Sequence, residues 1–308
     1  MGVLFLVSAL VIGGLLAVQA SANLQLNRVV GTPYGASTLQ LGIAAVLLAA
    51  VAGVAGGWGA LAGVADVAPW KLLGGVASPI YIASAILLFP RLGALASAGL
   101  FVAGQVLASL VLDIGGLLGV EQRSFNAGMA LGALAVLGGI AMVIRSQLAG
   151  TSSQASSARA GWIALGLLAG AVLPVQGAIN AALRVELDDA FAVGMVSFTV
   201  ATATIAVVLV LLLALRRTPR PRLNSLNTVP WWGWLGGAAA ATYVTLTFLL
   251  IPRIGAATTI ALTVTGQQLT AAAIDHYGLF RLPPRPVTVA RLAGLASLGA
   301  GCALVQLA

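Results

Sequence analysis

Apolar residues run along this chain in ten stretches, separated by short polar or basic connections. They cover Gly2–Leu26, Tyr34–Gly57, Pro69–Phe89, Leu92–Leu112 and Asn126–Ile144, then Gly161–Leu183, Ala190–Leu215, Pro230–Ile251, Ile254–Ile274 and Thr288–Leu307. A helix rising about 1.5 Å per residue crosses a hydrocarbon layer of about 30 Å in about 20 residues. A strand at that depth would leave its backbone groups unpaired, so the pattern predicts helices. Gly2–Leu26 lacks the basic start of a signal peptide, and its counterpart lies mid-chain, so both are expected to be spans. Prolines at Pro90-Arg91 and Pro252-Arg253 are expected to mark breaks between antiparallel neighbours.

The pattern occurs twice. From Gly74 onward the first unit matches the second at an offset of 162: Phe89-Pro90-Arg91-Leu92-Gly93-Ala94 returns as Ile251-Pro252-Arg253-Ile254-Gly255-Ala256. Tyr81 returns as Tyr243, Gln105 as Gln267 and Asp113 as Asp275. Upstream the offset is 157, so Gln19 and Asn23 return as Gln176 and Asn180. The predicted organisation is a five-helix repeat over residues 1–146, a polar, flexible linker over 147–159, and a second repeat over 160–308. Five crossings per unit make the second unit inverted. The fold class is therefore all-α, an integral membrane protein of ten transmembrane helices in two inverted five-helix repeats.

Charge supplies an orientation. Eleven of the 15 Arg and Lys residues fall on the side that holds the linker, and four (Lys71, Arg123, Arg184 and Arg253) on the other. The richer side is expected to be cytoplasmic, with both termini outside. Fourteen of those 15 are arginines in an Ala- and Gly-rich chain, a composition that points to a bacterial inner membrane.

Composition narrows the function classes. Of the 308 residues, 60% are hydrophobic and 7% charged, with mean hydropathy +1.06. A soluble domain carries about 25% charged residues, so lipid must be the main solvent here. The net charge of +8 belongs to membrane orientation rather than to a nucleic-acid partner. One cysteine, Cys302, and one histidine, His276, supply no metal site. No phosphate-binding loop or convergent nucleophile set is present, so neither an enzyme nor a cofactor is expected. The partners are then the bilayer and a small solute, and a fused pair of units can be complete as one chain.

Polar residues inside apolar spans carry the chemistry, because they are expensive there. Gln19 and Asn23 share one helix face, as do Gln176 and Asn180. Gln105 and Gln267 lie within the fourth span of each unit, and Tyr81 and Tyr243 within the third. These eight are the candidate substrate-binding set; the alternative role is hydrogen bonding between helices. Asp113 and Asp275 end the fourth spans and are candidates for proton coupling, or else pair with an arginine. Trp70 and the cluster Trp231, Trp232 and Trp234 suit an interfacial belt.

Several motifs carry a family resemblance. Leu173-Pro174-Val175-Gln176 with Asn180, Pro230-Trp231-Trp232 with Gly236-Gly237, Pro252 to Thr258, Gly266-Gln267 and Asp275-His276-Tyr277-Gly278-Leu279-Phe280 resemble the YdcZ-like family of the drug/metabolite transporter superfamily, in its fused two-unit form. The first unit departs in detail: Asp113-Ile114-Gly115 stands for Asp-His-Tyr, and Ala17 for Pro174. The resemblance implies an inverted-repeat bundle that moves a drug or metabolite by alternating access. Small multidrug transporters of that superfamily use a first-helix glutamate, and neither first helix here has an acid. The competing class is a membrane scaffold that transports nothing.

Overall fold

The computed structural model describes residues 2–148, 156–254 and 256–307, and among these it is helical with no strand. The helices are α1 (Gly2–Val30), α2 (Pro33–Ala55), α3 (Ser78–Leu92), α4 (Ala94–Gly115), α5 (Ala127–Leu148), α6 (Ser156–Leu187), α7 (Ala190–Ala214), α8 (Leu235–Ile254), α9 (Ala256–Tyr277) and α10 (Val289–Leu307). Seven helical stretches, from Val3–Val30 through Ala190–Ala214, are long and apolar enough to cross a membrane, and Val289–Val305 is a shorter apolar helix. The apolar pattern of α9 is diluted by five threonines and the pair Gln267-Gln268.

Local chemistry sets the ends. Pro33 opens α2, and Gly56 closes it in the left-handed conformation, with φ 81°. Asp189 caps α7 by accepting from the Ala192 N–H at 2.6 Å. Two expectations shift. The third span of each unit starts as a 3-10 helix, Pro69–Ala77 and Trp231–Trp234, before α3 and α8 begin. Pro90 lies inside α3, and the break falls at Gly93 with φ 82°, because the left-handed residue rather than the proline turns the chain. The expected linker 147–159 is partly helical, since α5 reaches Leu148 and α6 starts at Ser156; residues 149–155 lie outside the described residues.

Contacts between the two units come in exchanged pairs. α1 packs on α9 and α6 on α4; α1 packs on α8 and α6 on Pro69–Ala77 and α3; α2 meets α7, and α5 meets α10. The same exchange holds residue by residue. A Cβ on Gly104 would overlap the Leu167 carbonyl, and one on Gly266 the carbonyl of Leu10, the equivalent residue. Gly13 faces the backbone of Thr263 as Gly170 faces that of Phe101. Along α5 and α10, Gly132 meets Gly301 while Gly139 meets Gly294, so these helices run antiparallel. Lipid supplies no hydrophobic force between helices, and close backbone approach at small residues provides the packing.

The largest buried side chains, including Phe89, Phe101, Leu26, Leu41 and Leu88, fill the centre of the bundle. The outer faces show apolar residues such as Val46, Val54, Leu134 and Val210, a surface matched to hydrocarbon.

Candidate functional site

A cavity of about 560 Å³ lies among α1, α3, α4 and α6 to α10. The pairing of α1 with α3 explains its position. α1 packs along α3, whereas the equivalent pair, α6 and α8, stands apart among the described residues, and the cavity occupies that gap. Pro174, in the interior of α6, lines it where α1 has Ala17.

Seven of the eight sequence candidates line this space: Gln19, Tyr81, Gln105, Gln176, Asn180, Tyr243 and Gln267. Asn23 does not. It is 1% exposed, and its side-chain oxygen is set against Gly236, as that of Asn180 is against Gly74. The two asparagines therefore wedge equivalent helix crossings, and only Asn180 also reaches the cavity.

Most of the polar lining is engaged. Gln267 Nε2 donates to Tyr81 Oη at 3.2 Å, and the Tyr81 ring packs on Phe101 at 4.8 Å between centroids. Gln176 Oε1 accepts from Ser78 Oγ at 3.0 Å. Ser197 Oγ accepts from Asn180 Nδ2 at 3.1 Å and from Gln176 Nε2 at 3.4 Å. The equivalents of the two engaged glutamines behave differently. Gln105 Nε2 is buried without a partner, and no hydrogen bond of Gln19 occurs among the described residues. An orphaned amide in an apolar wall costs about 1–3 kcal/mol, so these groups are poised for a bound molecule or water.

The cavity opens towards the C-terminal end of α6. Lining residues there run from Leu173 to Arg184, whereas α1 contributes only Leu16 and Gln19. Beyond Gln19 the structure is sealed. Gln25 Nε2 donates to the Phe280 carbonyl at 2.5 Å, and Arg28 donates to the Arg281 carbonyl at 3.3 Å. Arg222 bonds back to the Arg28 carbonyl at 3.0 Å.

Neither aspartate reaches the cavity. Asp275, with a side chain 1% exposed, accepts from Arg291 at 2.7 Å and from the N–H groups of Ala94 and Leu95 at 2.7 and 3.2 Å. It thus caps α4, the first turn of which has free donors and a partial positive charge. Arg285 ties the same corner to the Pro90 and Arg91 carbonyls, and burial lowers its guanidinium from the ordinary value against the opposing pull of Asp275. Asp113, the equivalent of Asp275, meets Arg123 at 4.0 Å and leaves a quarter of its side chain exposed. The backbone around both is alike: Arg123 N–H donates to the Asp113 carbonyl at 2.8 Å and Arg285 N–H to that of Asp275 at 2.6 Å.

Trp70, Trp231, Trp232 and Trp234 lie at the span starts. Lys71 stands 5.7 Å over the Trp70 ring, and Trp232 contacts Phe280 edge-on at 5.5 Å. Sequence reasoning missed Ser78, Ser197 and Thr247, because hydroxyls are cheap in helices and give little signal. It also counted Arg291 only among the charges that set orientation. The usable signal was an arginine inside the apolar stretch Thr288–Leu307, which requires a buried acid as partner.

An all-helical chain with a lipid-matched exterior and a polar-lined cavity between paired units has the build of a multi-pass membrane transporter. The chain belongs to the YdcZ family: the family model described as "putative inner membrane exporter, YdcZ" matches residues 4–142 and again 161–304. It is accordingly a multi-pass inner membrane protein. No curated protein is significantly similar to it.

Proposed function

We propose that this chain is a secondary transporter that moves a small organic solute by alternating access between two inverted five-helix units, residues 1–146 and 160–308. All ten helices then count as spans. The weaker apolarity of α9 reflects its cavity-facing threonine and glutamine side chains. Support for inversion comes from the antiparallel glycine pairs of α5 and α10, since an exchange that reverses helix direction needs an axis within the membrane plane.

One observation carries the reading: a cavity between exchange-related units is open at one end and sealed at the equivalent other end. Swapping the roles of the units generates the second state. Gln105 would bond Tyr243, Gln267 would release Tyr81, Asp113 would cap α9, and the Asn23 end of α1 would line the cavity. Asp113 and Asp275 then stand at the gates rather than on the cargo path. The arginine bias puts the open end outside, with both termini outside and the 147–159 linker in the cytoplasm. The solute crosses chemically unchanged.

Liposomes loaded with a panel of small metabolites and drugs test this. Protein-dependent efflux of at least one solute, lost in the Gln105→Leu/Gln267→Leu double variant at normal folded yield, is the expected result. A double variant that loses folded yield, with no solute moved by the native chain, would favour the scaffold instead.

A further inference from the structure

The cavity wall carries one sign of charge. Among the described residues lining it there is no acidic side chain, and the one charged member is Arg184. This guanidinium sits at the open end of α6, is exposed, and has no ion pair or hydrogen bond from its side chain among the described residues. Deeper in, Gln105 Nε2 is a buried donor without an acceptor and the Gln19 amide is likewise free, while Asn180 Oδ1, set against Gly74, is a neutral acceptor without a donor. Most of the remaining wall is hydrocarbon from residues such as Ile82, Val106, Phe198 and Val244.

A cation entering such a space would lose its hydration and meet no counter-charge, a cost that a buried ion recovers only through a partner. A carboxylate meets the opposite situation. It is an acceptor only, with two oxygens and about four lone-pair sites, and so complements unpaired N–H donors. The guanidinium at the mouth attracts it and can hold it with paired hydrogen bonds. The apolar walls then take a hydrocarbon body.

Resting on the reading of this cavity as a cargo site, we propose that the cargo is an amphipathic carboxylate, an apolar organic acid in its anionic form. Arg184 acts as the entry contact and Gln105 as the interior donor. The specificity is directed against organic cations.

Three matched probes test this on the purified full-length chain in detergent: 4-phenylbutyrate, 4-phenylbutyramide and 4-phenylbutylamine. Their bodies are alike while the charge varies. A ligand that binds only the folded state raises the apparent melting temperature by mass action. The butyrate is expected to bind about tenfold or more tighter than the amine, with the amide between them. Arg184→Gln should bring the butyrate to within about twofold of the amide. Gln105→Leu should weaken both, and neither variant should shift the melting temperature without probe by much. An amine that binds as tightly as the butyrate overturns the charge assignment and leaves the transport reading standing. A butyrate that gives no shift also overturns it. Failure of transport itself would be seen separately, as the absence of solute flux from liposomes.

Discussion

At the end of α1, Gln25 and Arg28 reach the turn after α9 and bond the carbonyls of Phe280 and Arg281. At the equivalent end of α6 those positions are Ala182 and Val185, and together with Leu118 and Gly119, the counterparts of Phe280 and Arg281, they line a crevice of about 350 Å³. Arg291, which holds Asp275, has Met129 as its counterpart. The two ends thus share a backbone plan down to the left-handed corner residues, Leu118 at φ 56° and Phe280 at φ 55°. They differ in the side chains that could fasten it. A duplicated bundle with identical fasteners would have no preferred state. Here the Gln25 and Arg28 bonds and the Arg291–Asp275 pair belong to one end and the Lys71–Glu186 pair to the other, so under the alternating access proposed above the unequal fastening biases the chain towards the conformer with the first end shut.

The largest expected effect comes from Asp275→Asn. It leaves Arg291 buried without its anion and weakens the cap on α4; loss of one partner of a buried pair costs about 3–5 kcal/mol. Asp113→Asn touches only the looser, partly exposed pair, and should cost about 0–1 kcal/mol. Thermal unfolding in detergent should separate the two; equal losses would mean that the ends are not differently fastened.

Glycine contacts sharpen the comparison from the other side, because they are symmetric. Gly104→Val and Gly266→Val each push a side chain into a carbonyl of the facing helix and should cost about 1–3 kcal/mol or more, by similar amounts. Unequal losses would show that one interface bears more of the packing.

A smaller difference is expected within the cavity. Gln267→Leu removes the bond to Tyr81 and should cost about 1 kcal/mol, with the open conformer losing its preference. Gln105→Leu replaces an orphaned donor and should be neutral or slightly stabilising, yet lower cargo affinity. A Gln105 variant as unstable as the Gln267 variant would give both amides a packing role.

Much of this was legible in the sequence because polar residues in apolar stretches are few. Gln19, Tyr81, Gln105, Gln176, Tyr243 and Gln267 stand out on that ground, and the structure gathers them at one cavity. What remained hidden depends on contacts between helices distant in sequence. Asn23 and Asn180 look alike along the chain; only the separation of α6 from α8 puts one in the cavity and shuts the other away. The Asp275–Arg291 pair was hidden for a different reason: Arg291 lies in the stretch Thr288–Leu307 and reads as an orientation charge until Asp275 is seen to accept from it at 2.7 Å. The end of α3 at Gly93 rather than Pro90 follows from a left-handed backbone that hydropathy does not register.

The most direct measurement uses one thiol at a time in a chain whose native Cys302 has been replaced by alanine. Ala20 and Gly177 occupy equivalent positions; Ala20 is 3% exposed and Gly177 lines the cavity with room for a side chain. In whole cells, Gly177→Cys should react rapidly with a membrane-impermeant maleimide and Ala20→Cys should be protected. Adding Gln25→Ala and Arg28→Val, the residues of the other unit, should slow labelling at 177 and expose 20 to the cytoplasmic side in inverted vesicles. Two positions that react equally from the same side, with or without those substitutions, would contradict a pair of units that open in turn.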